Sequence, residues 1–188
     1  MTEAAPFLGR MIGKLEAAGV PYMVTGSLAS SAFGEPRTSF DVDIVISPTL
    51  DQLRAFVGSL EEDLYVSIPA AEEAFQRRGM FNVLDPHGGL KADLIILKDR
   101  PFDVQEFGRR RTGRIQDVEV VLISPEDSIL SKLEWSKRGG SERQLRDALG
   151  VAVVQGERLD LAYLRRWAVE LGVEDLLEKV LDESARTR

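Results

Sequence analysis

With 188 residues, the chain can form one domain of ordinary size, alone or with a small appendage. Its hydrophobic content of 44% is ordinary for a globular chain, and no apolar stretch approaches the roughly 18 residues of a membrane span, so no membrane partner is expected. The net charge of -7 disfavours tight non-specific binding to DNA or RNA, although a local basic patch could still hold a phosphate.

Up to about residue 123 the chain alternates helical and strand periodicities, and from there it is helical to the end. Apolar spacing, glycine C-caps and runs of apolar residues set the predicted bounds. In chain order we first predict a helix over residues 3 to 18, a strand over 22 to 25, a short helix over 28 to 33 and a strand over 41 to 46. Next come a helix capped by Ser47 or Thr49 and running through Leu60, and a polar helix over 70 to 78. Three further strands are predicted over 81 to 84, 92 to 97 and 118 to 122.

The C-terminal part carries several helix-start signals. Residues 124 to 127 join a serine N-cap to a proline at the first helical position and acids in the first turn, which predicts a helix to about Lys137. Ser141 begins a capping-box pattern, Asp160 can cap the next amphipathic stripe, and residues 173 to 181 form a last amphipathic helix.

These elements predict an α/β (α+β) fold built on a mixed β-sheet. Residues 1–123 form the core, in which helices flank the sheet, and residues 124–188 form a C-terminal helical subdomain packed on that core. No Pro-, Gly- or Ser-rich break separates the two parts. We therefore treat the helical part as an appended subdomain rather than an independent one.

Three aspartates enter two of the predicted strands. Asp41 and Asp43 are one residue apart, so a strand points both side chains to one face, and Asp93 lies at the start of another apolar run. A divalent ion facing triphosphate oxygens prefers hard carboxylate ligands, and acids are costly to bury without a cation. The pattern favours metal-dependent chemistry on a nucleoside triphosphate. The alternative is three solvated acids at strand ends.

Gly26 and Ser27 lie between a predicted strand and a predicted helix. A glycine lets the backbone come close to a phosphate, and a serine hydroxyl with the amides of a helix N-terminus can donate to triphosphate oxygens. Alone, the pair is more typical of an ordinary turn with a capping serine. With Asp41 and Asp43 following at this spacing, the phosphate interpretation is favoured.

These residues resemble the pattern of the nucleotidyltransferase superfamily related to DNA polymerase beta. The residues that carry this resemblance are Gly26, Ser27, Asp41, Asp43 and Asp93. A closer resemblance, to the AbiEii-type nucleotidyltransferases, many of them toxin components, covers roughly residues 20 to 150. The motifs that carry it are Arg37-Thr38, Asp41-Val42-Asp43, Lys91-Ala92-Asp93, Ser131-Lys132-Leu133 and Arg146-Asp147.

The resemblance implies a nucleotidyltransferase core that moves a nucleoside monophosphate from a nucleoside triphosphate to an acceptor. Asp41 and Asp43 would hold Mg²⁺ (or Mn²⁺), and Asp93 would complete a second ion site or take the acceptor's proton. The implied catalytic residues are Asp41, Asp43, Asp93, Lys132 and Asp147, of which the three strand aspartates are the metal ligands. The implied nucleotide-binding residues are Gly26, Ser27, Arg37, Thr38 and Lys91.

Three of these residues have simpler interpretations. Lys91 could lie beside Asp93 and the phosphates, or be a lysine at the rim of the sheet. For Lys132 the favoured interpretation is a surface lysine whose stem covers apolar residues, with a side chain reaching into a cleft as the alternative. Asp147 could face the active edge of the sheet, or pair with Arg143 one turn earlier.

The sequence leaves the acceptor open, because an RNA end, a small molecule or a protein all suit one core. A toxin role would require a cognate antitoxin protein. The rival hypothesis is a catalytically silent module of the same fold that binds nucleotide, RNA or a partner protein. The chain has no cysteine and its N-terminus lacks the basic start of a signal peptide, so we expect a cytoplasmic protein.

Overall fold

A computed structural model describes residues 4–34, 41–60 and 64–187 of the chain. Arg37 and Thr38, two of the predicted nucleotide-binding residues, lie outside these ranges. The helices are α1 (Ala4–Ala17), α2 (Gly26–Phe33), α3 (Leu50–Gly58), α4 (Ile68–Arg77), α5 (Pro101–Gly108), α6 (Pro125–Gly139), α7 (Glu142–Gln155), α8 (Leu161–Leu171) and α9 (Glu174–Thr187), with a 3-10 helix at Gly156–Arg158. None of the helices within the described ranges has the length and apolar character needed to cross a membrane.

The strands form one mixed sheet. They are β1 (Tyr22–Thr25), β2 (Asp41–Ile46), β3 (Tyr65–Val66), β4 (Met80–Asp85), β5 (Leu90–Ile96), β6 (Arg111–Ile115) and β7 (Val118–Leu122). Their order across the sheet is β3-β4-β5-β2-β1-β7-β6. Two neighbouring pairs, β2 with β5 and β1 with β7, are parallel, and the others are antiparallel. The predicted fold class, a mixed sheet with flanking and C-terminal helices, is confirmed.

One face of the sheet is buried, and α1 and α4 are among the helices that pack on it. In the central strands this face consists of Val42, Ile44 and Ile46 on β2 and of Ala92, Leu94 and Ile96 on β5. Burying an aliphatic side chain of this size contributes about 1.5 to 3 kcal/mol. A one-residue slip would turn all six to the other face, so the apolar residues hold the register on which the polar face depends.

By its internal contacts the chain divides into two compact units. Among the described residues, the first contains 4–28 and 41–122, with the whole sheet and helices α1, α3, α4 and α5. The second contains 29–34 and 123–187, with helices α6 to α9. The boundary falls within α2, whose first residues belong to the first unit.

Inside the second unit, α6 packs against α7 and α8, and α7 packs against α9. Ser124 caps α6 as predicted, with its hydroxyl oxygen accepting the Asp127 N–H at 3.1 Å. The carboxylate of Asp127 is fully buried, and it accepts hydrogen bonds of 2.5 Å from the Ser124 and Tyr163 hydroxyls. Tyr163 lies on α8, so this buried carboxylate joins the start of α6 to the start of α8.

Some local predictions are wrong. The side chain of Ser141 makes no capping hydrogen bond, and its carbonyl instead accepts from the Ser136 hydroxyl at 3.0 Å. Strands β3 and β6 and helix α5 are absent from the sequence prediction. Strand β6 lies at the edge of the sheet, where only Ile115 of its five residues is buried, so it lacks the apolar alternation that marks a strand.

Candidate active site

The predicted acids meet where β2 and β5 run side by side. The parallel register pairs Asp41 with Lys91 and Asp43 with Asp93. On the other side of β2, Thr25 is paired with Asp43. Side chains on paired residues of neighbouring strands project from the same face, so three carboxylates and one ammonium lie on the face opposite the buried one.

Lys91 connects two of the acids. Its ammonium nitrogen lies 3.1 Å from the Asp93 carboxylate and 3.9 Å from Oδ1 of Asp41. The hydrogen bond to Asp93 is the main reason that the pKa of Lys91 is raised, and the charges of Asp41 and Asp43 act in the same direction. Lys91 therefore lies beside Asp93, as one of its two predicted interpretations has it, and its side chain is 38% exposed.

Asn82 is a member of the cluster that the sequence analysis missed. Its position on β4 is paired with Asp93, and its amide nitrogen donates a hydrogen bond of 2.5 Å to Oδ1 of Asp93. Asp93 thus receives donors from both Asn82 and Lys91, and only 14% of its side chain is exposed. The antiparallel pairing of the two predicted strands could have suggested a partner for Asp93, but the sequence does not give its register.

Gly26 lies against Asp43. Helix α2 begins at Gly26, two residues earlier than predicted, so Gly26 and Ser27 form its first turn. The φ angle of Gly26 is +66°, in the left-handed region that favours glycine. A Cβ atom on Gly26 would lie 1.9 Å from Oδ2 and 2.8 Å from Cβ of Asp43. The missing side chain is therefore what allows the start of α2 and the Asp43 carboxylate to approach each other.

Lys132 and Asp147 form a buried ion pair in the second unit. The Lys132 ammonium on α6 lies 2.9 Å from the Asp147 carboxylate on α7, and the two side chains are 7% and 9% exposed. Lys132 is thus not the surface lysine that was favoured, and Asp147 has Lys132 as an ion-pair partner on the neighbouring helix. The five predicted catalytic residues form two groups, one in each unit.

The donor chemistry of the strand acids fits a divalent cation. All three offer hard carboxylate oxygens, and Asp41 and Asp43 project from one face of one strand. Because one ammonium contacts both Asp41 and Asp93, these two carboxylates lie within the roughly 8 Å that an ion-bridged pair can span. Across residues 4–34, 41–60 and 64–187, however, no three His, Asp or Glu side chains are already grouped to hold an ion.

Solved structures of similar fold are found over most of the chain. An antigenic nucleotidyltransferase-like protein from Paracoccidioides brasiliensis has a TM-score of 0.56 at 20% identity, over 92% of this chain and 91% of its own. The antibiotic-resistance factor ANT(2'')-Ia has 0.54 at 17% identity, over 88% and 95%. The lincosamide antibiotic adenylyltransferase LnuA, in a lincomycin-bound structure, has 0.54 at 14% identity, over 82% and 98%.

The chain has a nucleotidyltransferase-like fold. The resemblance stated from the Gly-Ser and Asp-x-Asp motifs is thereby confirmed at the level of the fold. The closer resemblance to AbiEii-type proteins stays a prediction. The sequence itself matches no family model, and no curated protein sequence is significantly similar to it.

Proposed function

We propose that this chain is a nucleotidyltransferase that requires Mg²⁺ or Mn²⁺ and moves a nucleoside monophosphate from a nucleoside triphosphate to an acceptor. The observation that carries the proposal is the pairing of Asp43 with Asp93 in neighbouring parallel strands, with Gly26 at the start of α2 directly against Asp43. This arrangement puts carboxylates beside a helix N-terminus, which suits an ion and a phosphate together. The nucleotidyltransferase-like fold supports it.

The metal, when bound, would neutralise charge on the triphosphate. Asp41 and Asp43 would hold it, and Ser27 with the first amides of α2 would donate to phosphate oxygens. Asp93 already accepts hydrogen bonds from Asn82 and Lys91. With these contacts holding its carboxylate in place, Asp93 would serve as a third hard oxygen ligand.

The other predicted site residues have supporting roles in nucleotide binding or in the packing of the helices. Lys91, beside Asp93 and Asp41, would exchange part of its contact with the acids for a phosphate oxygen. Arg37 and Thr38, outside the described residues, stay proposed nucleotide ligands. Lys132 and Asp147 contact each other, so we assign them a positioning role that keeps α6 and α7 together.

In the proposed reaction an acceptor oxygen attacks the α-phosphorus of the nucleoside triphosphate. A new P–O bond forms at the α-phosphorus, the bond between the α-phosphorus and the bridging oxygen breaks, and pyrophosphate leaves with the bonding electrons. The proton of the acceptor hydroxyl passes to solvent or to a nearby carboxylate. The chain's contribution is mainly to position the two substrates and to stabilise charge.

A small-molecule acceptor is favoured over an RNA end or a protein. LnuA is named as a lincosamide adenylyltransferase and ANT(2'')-Ia as an antibiotic-resistance factor, and the similarity covers 98% and 95% of those chains. The net charge of -7 also opposes a large polyanion. A toxin role with a cognate antitoxin rests on the AbiEii-type motifs alone. The cytoplasmic location rests on composition.

The second candidate is a catalytically silent module that binds nucleotide, RNA or a partner protein. The Lys91 ammonium favours it, because an internal cation already compensates Asp41 and Asp93. In such a module the lysine would replace the metal, and nucleotide would bind without being turned over.

The test is incubation with each α-labelled nucleoside triphosphate, Mg²⁺ and a set of acceptors, followed by measurement of pyrophosphate and labelled product. The comparison is an Asp41→Asn/Asp43→Asn variant, with Asp117→Asn as control because Asp117 is a fully exposed turn residue. Transfer by the parent and the control, but not by the double variant, supports the enzyme. Thermal stabilisation by nucleotide without turnover supports the silent module, and the absence of both rejects the enzyme and the nucleotide-binding form of the module.

A further inference from the structure

The face of the sheet that carries the acids continues over β4 and β3. On β4, Leu84 is paired with Lys91 and Met80 is paired with Ile95. On β3, Tyr65 is paired with Leu84. Paired residues project from the same face, so Tyr65, Leu84 and Met80 share the face of Asp41, Asp43 and Asp93.

These three apolar side chains are exposed. Tyr65 is 62%, Met80 54% and Leu84 39% exposed, whereas Phe81 and Val83, which alternate with them on β4, are almost fully buried. A solvated face of an antiparallel sheet normally carries polar side chains. A group of large exposed apolar residues on two neighbouring strands is more typical of a binding surface.

The spacing of the sheet sets the reach of this surface. Neighbouring strands are about 4.8 Å apart, so Leu84 lies about 5 Å and Tyr65 about 10 Å from Lys91 across the sheet. Asn82 lies between Leu84 and Met80 along β4 and hydrogen-bonds Asp93. A molecule lying on Tyr65 and Leu84 could therefore present a hydroxyl at Asp93 over a distance of about 10 to 12 Å.

The chemistry of the surface determines which kind of acceptor it can bind. An aromatic ring and two aliphatic side chains bind a flat or apolar group, whereas the neighbouring carboxylates and the Asn82 amide recognise hydroxyls. The three carboxylates beside the apolar group, in a chain of net charge -7, disfavour a polyanion such as an RNA end. A small hydroxylated molecule with an apolar ring or alkyl portion satisfies both halves.

We propose that Tyr65, Leu84 and Met80 form the acceptor-binding surface and take the apolar portion of a small hydroxylated acceptor whose reacting hydroxyl lies beside Asp93. This inference rests on the proposed nucleotidyltransferase function. The surface contains none of the motif residues. The triphosphate and the acceptor would therefore bind to different parts of one sheet face.

Binding is measured without turnover, by methyl NMR of the whole chain. The probes are a panel of aryl glycosides, each matched by the methyl glycoside with the same hydroxyls and no aryl ring. The reporters are the methyl groups of Met80 and Leu84, with Met11 and Met23 as internal controls because both are fully buried. We expect at least one aryl glycoside to shift Met80 and Leu84 while its methyl glycoside leaves them unchanged.

The variant for this test is Tyr65→Ala, and its control is Val104→Ala, which shortens another exposed apolar side chain of the first unit. Loss of stacking on one ring should weaken aryl glycoside binding by at least fivefold in Tyr65→Ala and leave it unchanged in Val104→Ala. Both positions are exposed, so both variants should fold, and a thermal unfolding curve checks this.

Three results would overturn the surface assignment: no response of Met80 and Leu84 to any aryl glycoside, equal responses to the aryl and methyl glycosides, or unchanged aryl glycoside binding by Tyr65→Ala. A rise in the KM for the nucleoside triphosphate in Tyr65→Ala, with the acceptor KM unchanged, would assign the surface to the nucleobase instead. If the proposed function is wrong and the surface assignment is right, the parent releases no pyrophosphate although aryl glycosides still bind.

Discussion

Asp43 and Gly26 approach so closely that no other amino acid fits at position 26. A Cβ atom there would lie 1.9 Å from a carboxylate oxygen of Asp43 and 2.8 Å from its Cβ. Rotation of the Asp43 side chain could relieve the first contact, but the second is relieved only if strand β2 or the start of α2 moves. The start of α2 and the strand that carries Asp41 and Asp43 are therefore coupled through the absence of one side chain.

Replacement of Gly26 by alanine should both destabilise the chain and impair nucleotide transfer. The left-handed backbone costs alanine about 1 to 2 kcal/mol, and the clash with Asp43 adds to this cost. Gly89→Ala is a matched control, because Gly89 has a φ of +65° and no atom within 4 Å of a Cβ. Urea unfolding and pyrophosphate release measure the two effects. If both variants lose the same free energy of unfolding and the same activity, the contact with Asp43 adds no cost.

Asn82→Ala should reduce transfer with little effect on folding. Asn82 is exposed, and its amide nitrogen donates the hydrogen bond that orients Asp93. Loss of a group that orients a metal ligand typically reduces activity or metal affinity by about 10 to 100-fold. Gln105→Ala, an exposed change on α5, is the control. The measurements are kcat/KM at saturating Mg²⁺ and the midpoint of Mn²⁺ binding. Wild-type values for both would remove Asn82 from the site.

Breaking the pair of Lys132 and Asp147 should destabilise the second unit strongly. Removal of one partner leaves an uncompensated buried charge, which costs about 3 to 5 kcal/mol. We expect this loss for Lys132→Met and for Asp147→Leu, and a much smaller loss for the double variant. Glu178→Gln, which breaks the exposed pair with Arg165, should cost less than about 1 kcal/mol. Additive losses in the double variant would argue against coupling between the two residues.

Stability should fall at alkaline pH in a way that depends on Tyr22. Burial, together with the hydrogen bond to Glu16, raises the pKa of Tyr22 to about 12. An unfolded tyrosine ionises near pH 10, so the stabilisation is complete below that pH and is lost as the pH rises towards 12. The shift corresponds to about 2 to 3 kcal/mol at most.

Tyr22→Phe should reduce this pH dependence between pH 10 and 12, as measured by urea unfolding at each pH. The pKa of Lys91 is also raised, so it contributes to the same loss and some dependence should persist. The Lys91→Gln variant separates the two contributions. An unchanged slope in Tyr22→Phe would show that this hydroxyl does not control the alkaline limit.

Much of the fold followed from local patterns. The apolar alternation in β2, the glycine at the start of α2 and the serine cap of α6 act over a few residues, so the sequence predicts them directly. Edge strands β3 and β6 escaped prediction because their side chains are mostly exposed. An exposed strand is defined by its hydrogen bonds to a neighbour, and these leave no apolar pattern in the chain.

The sequence by itself determined that Asp41 and Asp43 share one face, because side chains repeat every second residue along a strand. Only the tertiary structure decided which residues stand beside them. The β2–β5 register pairs Asp43 with Asp93, the β4–β5 register adds Asn82, and helix packing pairs Lys132 with Asp147. Register and packing are set by the summed burial of many distant side chains, and this sum cannot be evaluated from any single motif.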